Sequence, residues 1–75
     1  MAETSDRVCE IVSTIFNVPR NEVNADSSSK TVENWDSMGH LMLILELEQE
    51  FDKQFAPEDV EKMYDVATIV KVLGT

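Results

Sequence analysis

The first part of the chain carries apolar residues at the spacing of one face of an α-helix. These positions follow the order i, i+3, i+4, i+7 and i+8 and are occupied by Val8, Ile11, Val12, Ile15 and Phe16. This periodicity predicts an amphipathic helix. Residues that commonly cap helices come before it, so we expect the helix to begin at Thr4 or Ser5. It should end before Pro19, because proline disfavours helical geometry in the preceding residue.

A second apolar run, from Ser37 to Phe51, predicts a longer helix with Asp36 as its N-cap. At about 100° per residue, its apolar side chains divide into two faces. The face predicted to enter the core consists of His40, Leu43, Ile44, Leu47 and Phe51. The opposite face consists of Met38, Leu41, Met42 and Leu45. Neighbouring helices and the preceding loop could cover this second face, or it could be an exposed surface that binds partner proteins.

Two shorter helices are predicted in the last third of the chain. Pro57 suits the first turn of a short third helix. Asp65 is the expected N-cap of a final helix from Val66 to Leu73, which Gly74 should end. No segment shows the alternation typical of a β-strand. The sequence therefore predicts an all-α fold, a small four-helix bundle of three main helices and one short helix.

The connection between the first two helices, residues 17–36, is long for a compact domain. A few apolar residues should pin it to the core, namely Val18, Val23 and Val32. Trp35, directly before the predicted N-cap, is expected to anchor its end. Serines 27–29 form a polar stretch that we expect to be mobile.

The charge of the chain limits its partners. Acidic residues outnumber basic ones by 15 to 6, which gives a net charge of −9. Such a surface repels phosphate backbones and anionic lipids, so neither nucleic acid binding nor membrane insertion is expected. It favours basic patches on other proteins. The 75 residues make a single domain, 1–75, which is too small to enclose a deep active-site cleft, so we do not expect an enzyme.

The single cysteine is typical of a protein from a reducing compartment, and the hydropathy of the chain predicts no membrane span. Cys9 is the only cysteine, so an internal disulfide is excluded and a small semi-buried apolar role is expected. No cluster of cysteine and histidine suggests a metal site. Residues 1–6 lack the basic and apolar regions of a secretory signal, and no apolar run reaches the ~18 residues of a membrane span. We expect a soluble, cytoplasmic, monomeric domain.

Ser37, at the start of the second helix, is the residue most informative about function. Its hydroxyl could cap the helix by accepting a backbone N–H. A nucleophilic role with His40 and Asp36 is disfavoured, because His40 faces the core and no oxyanion hole is evident. The third interpretation is covalent modification. A phosphodiester on Ser37 would lie where backbone N–H groups and the helix dipole favour anions.

The run Asp36-Ser37-Met38, opening an apolar helix that ends Glu48-Gln49-Glu50-Phe51, resembles the phosphopantetheine attachment site of acyl carrier proteins. The likeness covers nearly the whole chain, including its length, acidic charge and helix order. It implies that Ser37 bears a 4′-phosphopantetheine arm and that Asp36 assists the phosphopantetheinyl transferase that adds it. The chain would then hold acyl groups as thioesters for other enzymes and catalyse nothing itself.

The same resemblance implies further site residues and partners. The residues that would bind partner enzymes are Met38, Leu41, Met42, Leu45, Glu48 and Gln49. Phe55 and Met63 would line an inner pocket in which some members of the family shelter an acyl chain. The implied partners are an acyl- or aminoacyl-loading ligase and synthase or acyltransferase enzymes with basic docking patches.

The chain also departs from the family pattern. Met38 replaces the usual leucine, and Gly39 and Met42 stand where fatty-acid carriers commonly have acidic residues. Gly39 should also cost helix stability, about 1 kcal/mol relative to alanine. These departures disfavour service to the standard fatty-acid synthase enzymes. They indicate a specialised discrete carrier in fatty-acid-like, polyketide or other specialised biosynthesis, including a secondary-metabolite or cell-envelope pathway. The run from Asp36 to Gly39 also resembles D-alanyl carrier proteins, so an aminoacyl carrier is an alternative. A helical adapter that binds proteins without a cofactor is another.

Overall fold

The computed structural model describes residues 4–74, which contain four α-helices. They are α1 (Thr4–Phe16), α2 (Ser37–Phe51), α3 (Pro57–Val60) and α4 (Val66–Leu73). A single 3₁₀ turn at Arg20–Glu22 lies between α1 and α2. The predicted all-α bundle of three main helices and one short helix is confirmed. Residues 1–3 and Thr75 lie outside the described residues. Residues 1–3 are part of the segment that was tested for a secretory signal.

The ends of the helices follow from cap residues. The Asp36 side chain caps α2 by accepting a hydrogen bond from the Gly39 N–H at 2.9 Å. Asp65 caps α4 in the same way, through the Thr68 N–H at 3.2 Å. At its other end α4 stops at Gly74, whose φ of 81° lies in the left-handed region that glycine adopts without steric penalty. The predicted bounds of α2 and α4 and both N-caps are confirmed.

α1 is the central packing element, because it contacts both α2 and α4. Its predicted apolar face is buried except for Ile15, which is half-buried. Cys9, on the same helix, is also buried, in keeping with the apolar role that the sequence predicts. Removing these side chains from water is the main favourable term in folding. The buried residues that α2 and α4 contribute to the core are His40, Leu43, Ile44, Leu47, Val66, Ile69 and Leu73.

The connection between α1 and α2 is held against the core at the predicted points. Val23 and Val32 are buried, and Val18 is half-buried. Trp35 is buried at the end of the connection, which confirms its predicted role as an anchor. Asn34, just before it, has a φ of 74° in the left-handed region, which asparagine tolerates better than most residues. The chain therefore turns sharply into the N-terminus of α2.

Serines 27–29, which the sequence predicts to be mobile, have backbone hydrogen bonds to a distant segment. The Val66 N–H donates to the Ser27 carbonyl at 3.0 Å, and the Ser29 N–H donates to the Tyr64 carbonyl at 2.9 Å. Ser28 and Asp65 form an isolated antiparallel bridge between these two bonds. The sequence did not predict these bonds, because polar composition does not reveal backbone pairing with a distant segment. The middle of the connection is thereby tied to the start of α4.

Candidate functional site

Ser37 is the first residue of α2 and is exposed to solvent. The N-cap is the neighbouring Asp36, whose carboxylate accepts the hydrogen bond from the Gly39 N–H. Within residues 4–74, the Ser37 hydroxyl takes no part in capping α2, so its interpretation as a cap serine is wrong. The hydroxyl lies at the positive end of a 15-residue helix, where the helix dipole favours negative charge.

Gly39 is required by the close approach of α2 to the residues before it. A β-carbon at this position would lie 2.5 Å from the Asn34 carbonyl oxygen and 2.6 Å from a ring carbon of Phe16. Both distances are shorter than van der Waals contact, and the first involves backbone that cannot move aside easily. The absence of an acidic side chain at this position therefore has a packing cause. Gly39 lets the N-terminus of α2 sit directly on α1.

His40, one turn into α2, has hydrogen bonds at both ring nitrogens. The Trp35 indole Nε1–H lies 3.0 Å from His40 Nδ1, and His40 Nε2 lies 2.7 Å from the Val60 carbonyl oxygen. Because an indole nitrogen can only donate, Nδ1 must accept, and the ring proton must be on Nε2, which donates to Val60. Both nitrogens are thus occupied inside the protein. The Ser37–His40–Asp36 set disfavoured above is not assembled, because His40 has no nitrogen available to the serine.

Four aromatic rings form a stack beneath the N-terminal half of α2. Their order is Phe16, Trp35, His40 and Tyr64, and we call them the aromatic stack. Ring centroids are 5.2 Å apart for Phe16 and Trp35, 6.3 Å for Trp35 and His40, and 3.7 Å for His40 and Tyr64, with the planes nearly parallel in each pair. The stack runs from α1 through α2 to the segment after α3. It fixes the helix start that presents Ser37.

The second apolar face of α2 is exposed. Met38, Leu41, Met42 and Leu45 have 75%, 59%, 56% and 60% of their surface open to solvent, and we call them the apolar stripe. The alternative in which neighbouring helices and the loop cover this face is therefore wrong for the part of the chain that the structure describes. Ser37 lies at the N-terminal end of the same helix. An apolar surface of this kind is typical of a protein-binding site.

The acidic residues at the C-terminal end of α2 have different surroundings. Glu48 is half-buried, and its carboxylate accepts a hydrogen bond from the Phe55 N–H at 3.0 Å. Glu50 forms an ion pair with Arg7 of α1. Glu46 is exposed and belongs to neither of the two ion pairs found within residues 4–74. Gln49 is exposed as well. The sequence gives no sign that Glu48 is committed to an internal contact.

Phe55 and Met63, the predicted pocket residues, lie on either side of α3. Met63 is fully buried in the core, whereas Phe55 is half-buried and packs against it. Sequence reasoning missed the link between this segment and α2 through His40. A histidine on an apolar helix face is the signal that could have found it, because buried polar groups are almost always hydrogen-bonded.

The other groups of chemical interest are few. Burial raises the pKa of the Cys9 thiol above its ordinary value, an effect that the nearby Arg20 charge reduces and the Asp6 charge reinforces. Within residues 4–74, no group of three or more histidine, cysteine, aspartate or glutamate side chains is arranged to hold a metal ion. In the same range, every helix is too short or too polar to cross a membrane.

Comparisons with known proteins show to which family this chain belongs. Acyl carrier proteins of Chlorobium phaeovibrioides and Chlorobium luteolum are each 36% identical to this chain over 62 residues, which are 83% of this chain and 80% of the relative. No family model matches the chain. Identity at this level over most of both sequences shows that the chain belongs to the acyl carrier protein family. The assignment made from its sequence is confirmed.

Membership defines the class of protein. Acyl carrier proteins carry intermediates and are not catalysts, and the family generally holds a phosphopantetheine arm. Its members interact with synthases and transferases. The four-helix bundle described above is consistent with this family.

Proposed function

We propose that this chain is a discrete acyl carrier protein in which Ser37 bears a 4′-phosphopantetheine arm. The observation that carries the proposal is an exposed Ser37 hydroxyl at the N-terminus of α2, with capping assigned to Asp36. These residues fit the group, because the first-turn N–H groups of a helix favour a phosphate beside them. When attached, the arm supplies the thiol that holds acyl groups as thioesters.

Asp36 is proposed to assist the phosphopantetheinyl transferase. Attachment breaks the pyrophosphate P–O bond of coenzyme A and forms a P–O bond to Ser37 Oγ, which gives a phosphodiester. The serine loses its hydroxyl proton, and adenosine bisphosphate is the leaving group. One oxygen of the Asp36 carboxylate accepts the Gly39 N–H, and the side chain is exposed. Its second oxygen can therefore bind a metal ion or a basic group of the transferase without loss of the helix cap.

Partner enzymes are proposed to dock on α2, with the apolar stripe, Glu48 and Gln49 in the contact. The acidic balance of the chain speeds encounter with basic patches, and the stripe gives limited apolar contact afterwards. Because Glu48 and Glu50 already have partners within the bundle, the stripe supplies most of the contact near Ser37. The occupant we infer is an enzyme and not a second copy, since two copies of charge −9 repel each other.

The proposal also covers the partner enzymes of the chain, its location and its oligomeric state. The partners are a loading ligase and synthase or acyltransferase enzymes of fatty-acid-like, polyketide or other specialised biosynthesis. The chain acts as a single-domain cytoplasmic monomer. Tethering of the cargo gives each partner a high effective concentration of substrate, so docking can stay weak and reversible.

The direct test is modification in solution. The protein is incubated with coenzyme A and a broad-specificity phosphopantetheinyl transferase and then weighed by mass spectrometry. We expect a gain equal to one phosphopantetheine, and no gain for Ser37→Ala. Thr14→Ala, at another exposed helical position, serves as the control and should gain the group like the wild type. A gain that survives Ser37→Ala, or none in the wild type, contradicts the proposal.

An aminoacyl carrier of the same build is the second candidate. It rests on the likeness of the run Asp36-Ser37-Met38-Gly39 to D-alanyl carrier proteins, although packing by itself already requires the glycine. Thioester cargo captured from native cells distinguishes an amino acid from an acyl group. A helical adapter without a cofactor predicts no modification in the native host and full partner binding by Ser37→Ala.

A further inference from the structure

The contacts of His40 bear on where the cargo of this carrier lies, an inference that rests on the function proposed above. α3 has four residues and no side-chain hydrogen bond at its N-cap, so it is too short to hold its position alone. Its last residue, Val60, accepts the Nε2–H hydrogen bond of His40 at 2.7 Å. The position of α3 against α2 therefore depends on tertiary contacts of this kind.

We call His40 and its contacts with Trp35, Val60 and Tyr64 the His40 junction. Tyr64 stacks on the imidazole with ring centroids 3.7 Å apart, which is van der Waals contact, so no alkyl chain fits between the two rings. On the other nitrogen, the Trp35 indole N–H is bonded at 3.0 Å. The junction thus joins the connection before α2, α2 itself and the segment that contains α3.

Opening this junction is unfavourable because its polar atoms are buried. Trp35 and His40 are only 4% and 2% exposed. If their hydrogen bonds broke, water could not replace the lost partner unless the surrounding segments also moved apart. An alkyl chain that entered here would offer neither a donor nor an acceptor. Met63, fully buried on the same segment, leaves no accessible surface for the chain to cover. A long acyl chain would gain apolar contact only by leaving polar groups unsatisfied.

The geometry points to a carrier that presents its cargo in solvent, with His40 as the positioning residue that keeps the space between α2 and α3 closed. The cargo class that suits such a carrier is a short or polar acyl group or an aminoacyl group, because a long alkyl chain would keep its apolar surface in water. In this view Met63 is a core residue, Phe55 packs against the core, and neither lines an acyl pocket.

The test compares cargo of different length on the same arm. The transferase loads Ser37 from acetyl-, butyryl-, octanoyl- or dodecanoyl-coenzyme A, and the melting temperature and the rate of thioester cleavage by hydroxylamine are measured. We expect both to be independent of chain length. A cargo that entered the bundle would stabilise it, and each 1 kcal/mol would raise the melting temperature by about 4–8 °C in a domain of this size. Such a rise, or cleavage that slows with chain length, overturns the inference.

Two variants of Tyr64 test whether the junction itself is responsible. Tyr64→Ala removes the ring that stacks on His40, and Tyr64 is only half-buried, so the fold should survive. Dodecanoyl cargo should then raise the melting temperature above that of acetyl cargo. Tyr64→Phe keeps the stack and should behave like the wild type. If Tyr64→Ala remains independent of chain length, the junction is not what excludes the cargo.

A measurement on the unmodified protein separates this inference from the proposed function. The Trp35 indole N–H should exchange slowly with deuterium in the wild type and in Tyr64→Phe, and faster in Tyr64→Ala. Fast exchange in the wild type contradicts a closed junction whether or not Ser37 can be loaded. Failure of loading with slow exchange contradicts the carrier function and leaves the closed junction supported.

Discussion

The two apolar faces of α2 use the same types of residue but lie in opposite environments. Leu43 is fully buried, whereas Leu45, two positions later, is 60% exposed. The difference comes from the neighbours, because α1 packs on the first face and no element within residues 4–74 covers the second. Exposed leucine and methionine contribute little to the fold. The comparison therefore assigns stability to one face and recognition to the other.

The largest expected effect comes from removing the same side chain from each face. Leu43→Ala should lower the free energy of unfolding by about 2–5 kcal/mol, because it leaves a cavity in the core. Leu45→Ala should change it by about 0.5 kcal/mol or less, since the side chain is exposed. Urea denaturation followed by circular dichroism measures both. Equal losses would contradict the assignment of the two faces.

A milder variant guards against complete unfolding. A domain of this size has a small stability margin, so Leu43→Ala can leave too little folded protein to analyse. Ile44→Val, on the same buried face, should cost about 0.5–1.5 kcal/mol. Met38→Ala, on the exposed face, is its control and should be neutral within error. A neutral Ile44→Val would show that this face is not packed as described.

Gly39→Ala should destabilise the protein, although the same change stabilises an exposed helix by about 1 kcal/mol. The added β-carbon would overlap the Asn34 carbonyl and the Phe16 ring. Overpacking of this kind costs about 1–3 kcal/mol, and subtracting the helix gain of about 1 kcal/mol leaves a net loss of up to about 2 kcal/mol. The urea midpoint measures it, with Thr14→Ala in an exposed part of α1 as the control that should gain slightly. A gain for Gly39→Ala would refute the packing explanation.

Local signals made much of this structure predictable. The bounds of α2 followed from an N-cap at Asp36 and an apolar run to Phe51, and its two faces followed from periodicity alone. Asp65 and Gly74 marked both ends of α4. These features depend on residues close together in the sequence. They are therefore visible without knowledge of the tertiary structure.

The features that could not be predicted are contacts between distant residues. The hydrogen bond from His40 to Val60 spans 20 positions, and the backbone bonds of serines 27–29 reach Tyr64 and Val66. The need for glycine at position 39 appears only when α1 and α2 are packed together. Periodicity also could not show whether the apolar stripe is covered, because coverage depends on the placement of other elements.

Met42→Glu distinguishes apolar docking from docking driven by charge. If partners bind the apolar stripe, a charge at its centre should lower the kcat/KM of the phosphopantetheinyl transferase several-fold, where tenfold corresponds to about 1.4 kcal/mol. If acidic residues of α2 drive docking on a basic patch, the extra charge should raise kcat/KM, most strongly at low salt. Mass spectrometry over time gives the rate for each variant.

Ala67→Glu is the matched control for this change. It adds the same charge at an exposed position of another helix, α4, and should leave kcat/KM nearly unchanged. Equal effects of the two variants would mean that only net charge matters. Sedimentation of the wild type tests whether a second copy of this chain covers the apolar stripe. A dimer that Met42→Glu dissociates would show that a second copy covers this face.

The smallest expected effect concerns Cys9, on the buried side of α1. Because burial raises the pKa of its thiol, Cys9 should not react with a thiol reagent in the native protein at neutral pH. The modified protein should therefore take one label, on the arm, and a second only in denaturant. Ser37→Ala should take none when native and one when unfolded. Native labelling of Ser37→Ala at the rate of a free thiol would contradict the burial of Cys9.

The same shift predicts a pH dependence of stability with a definite sign. A pKa raised in the folded state means that folding favours the protonated thiol. The contribution of this thiol to the free energy of unfolding is therefore complete below its ordinary pKa of 9.0. It is lost as the pH rises above that value, because the unfolded chain then gives up the proton first. The free energy of unfolding of the wild type should therefore fall relative to that of Cys9→Ala once the pH rises above 9.0. Parallel curves for the two proteins would show that the thiol ionises as easily in the folded protein as in the unfolded chain.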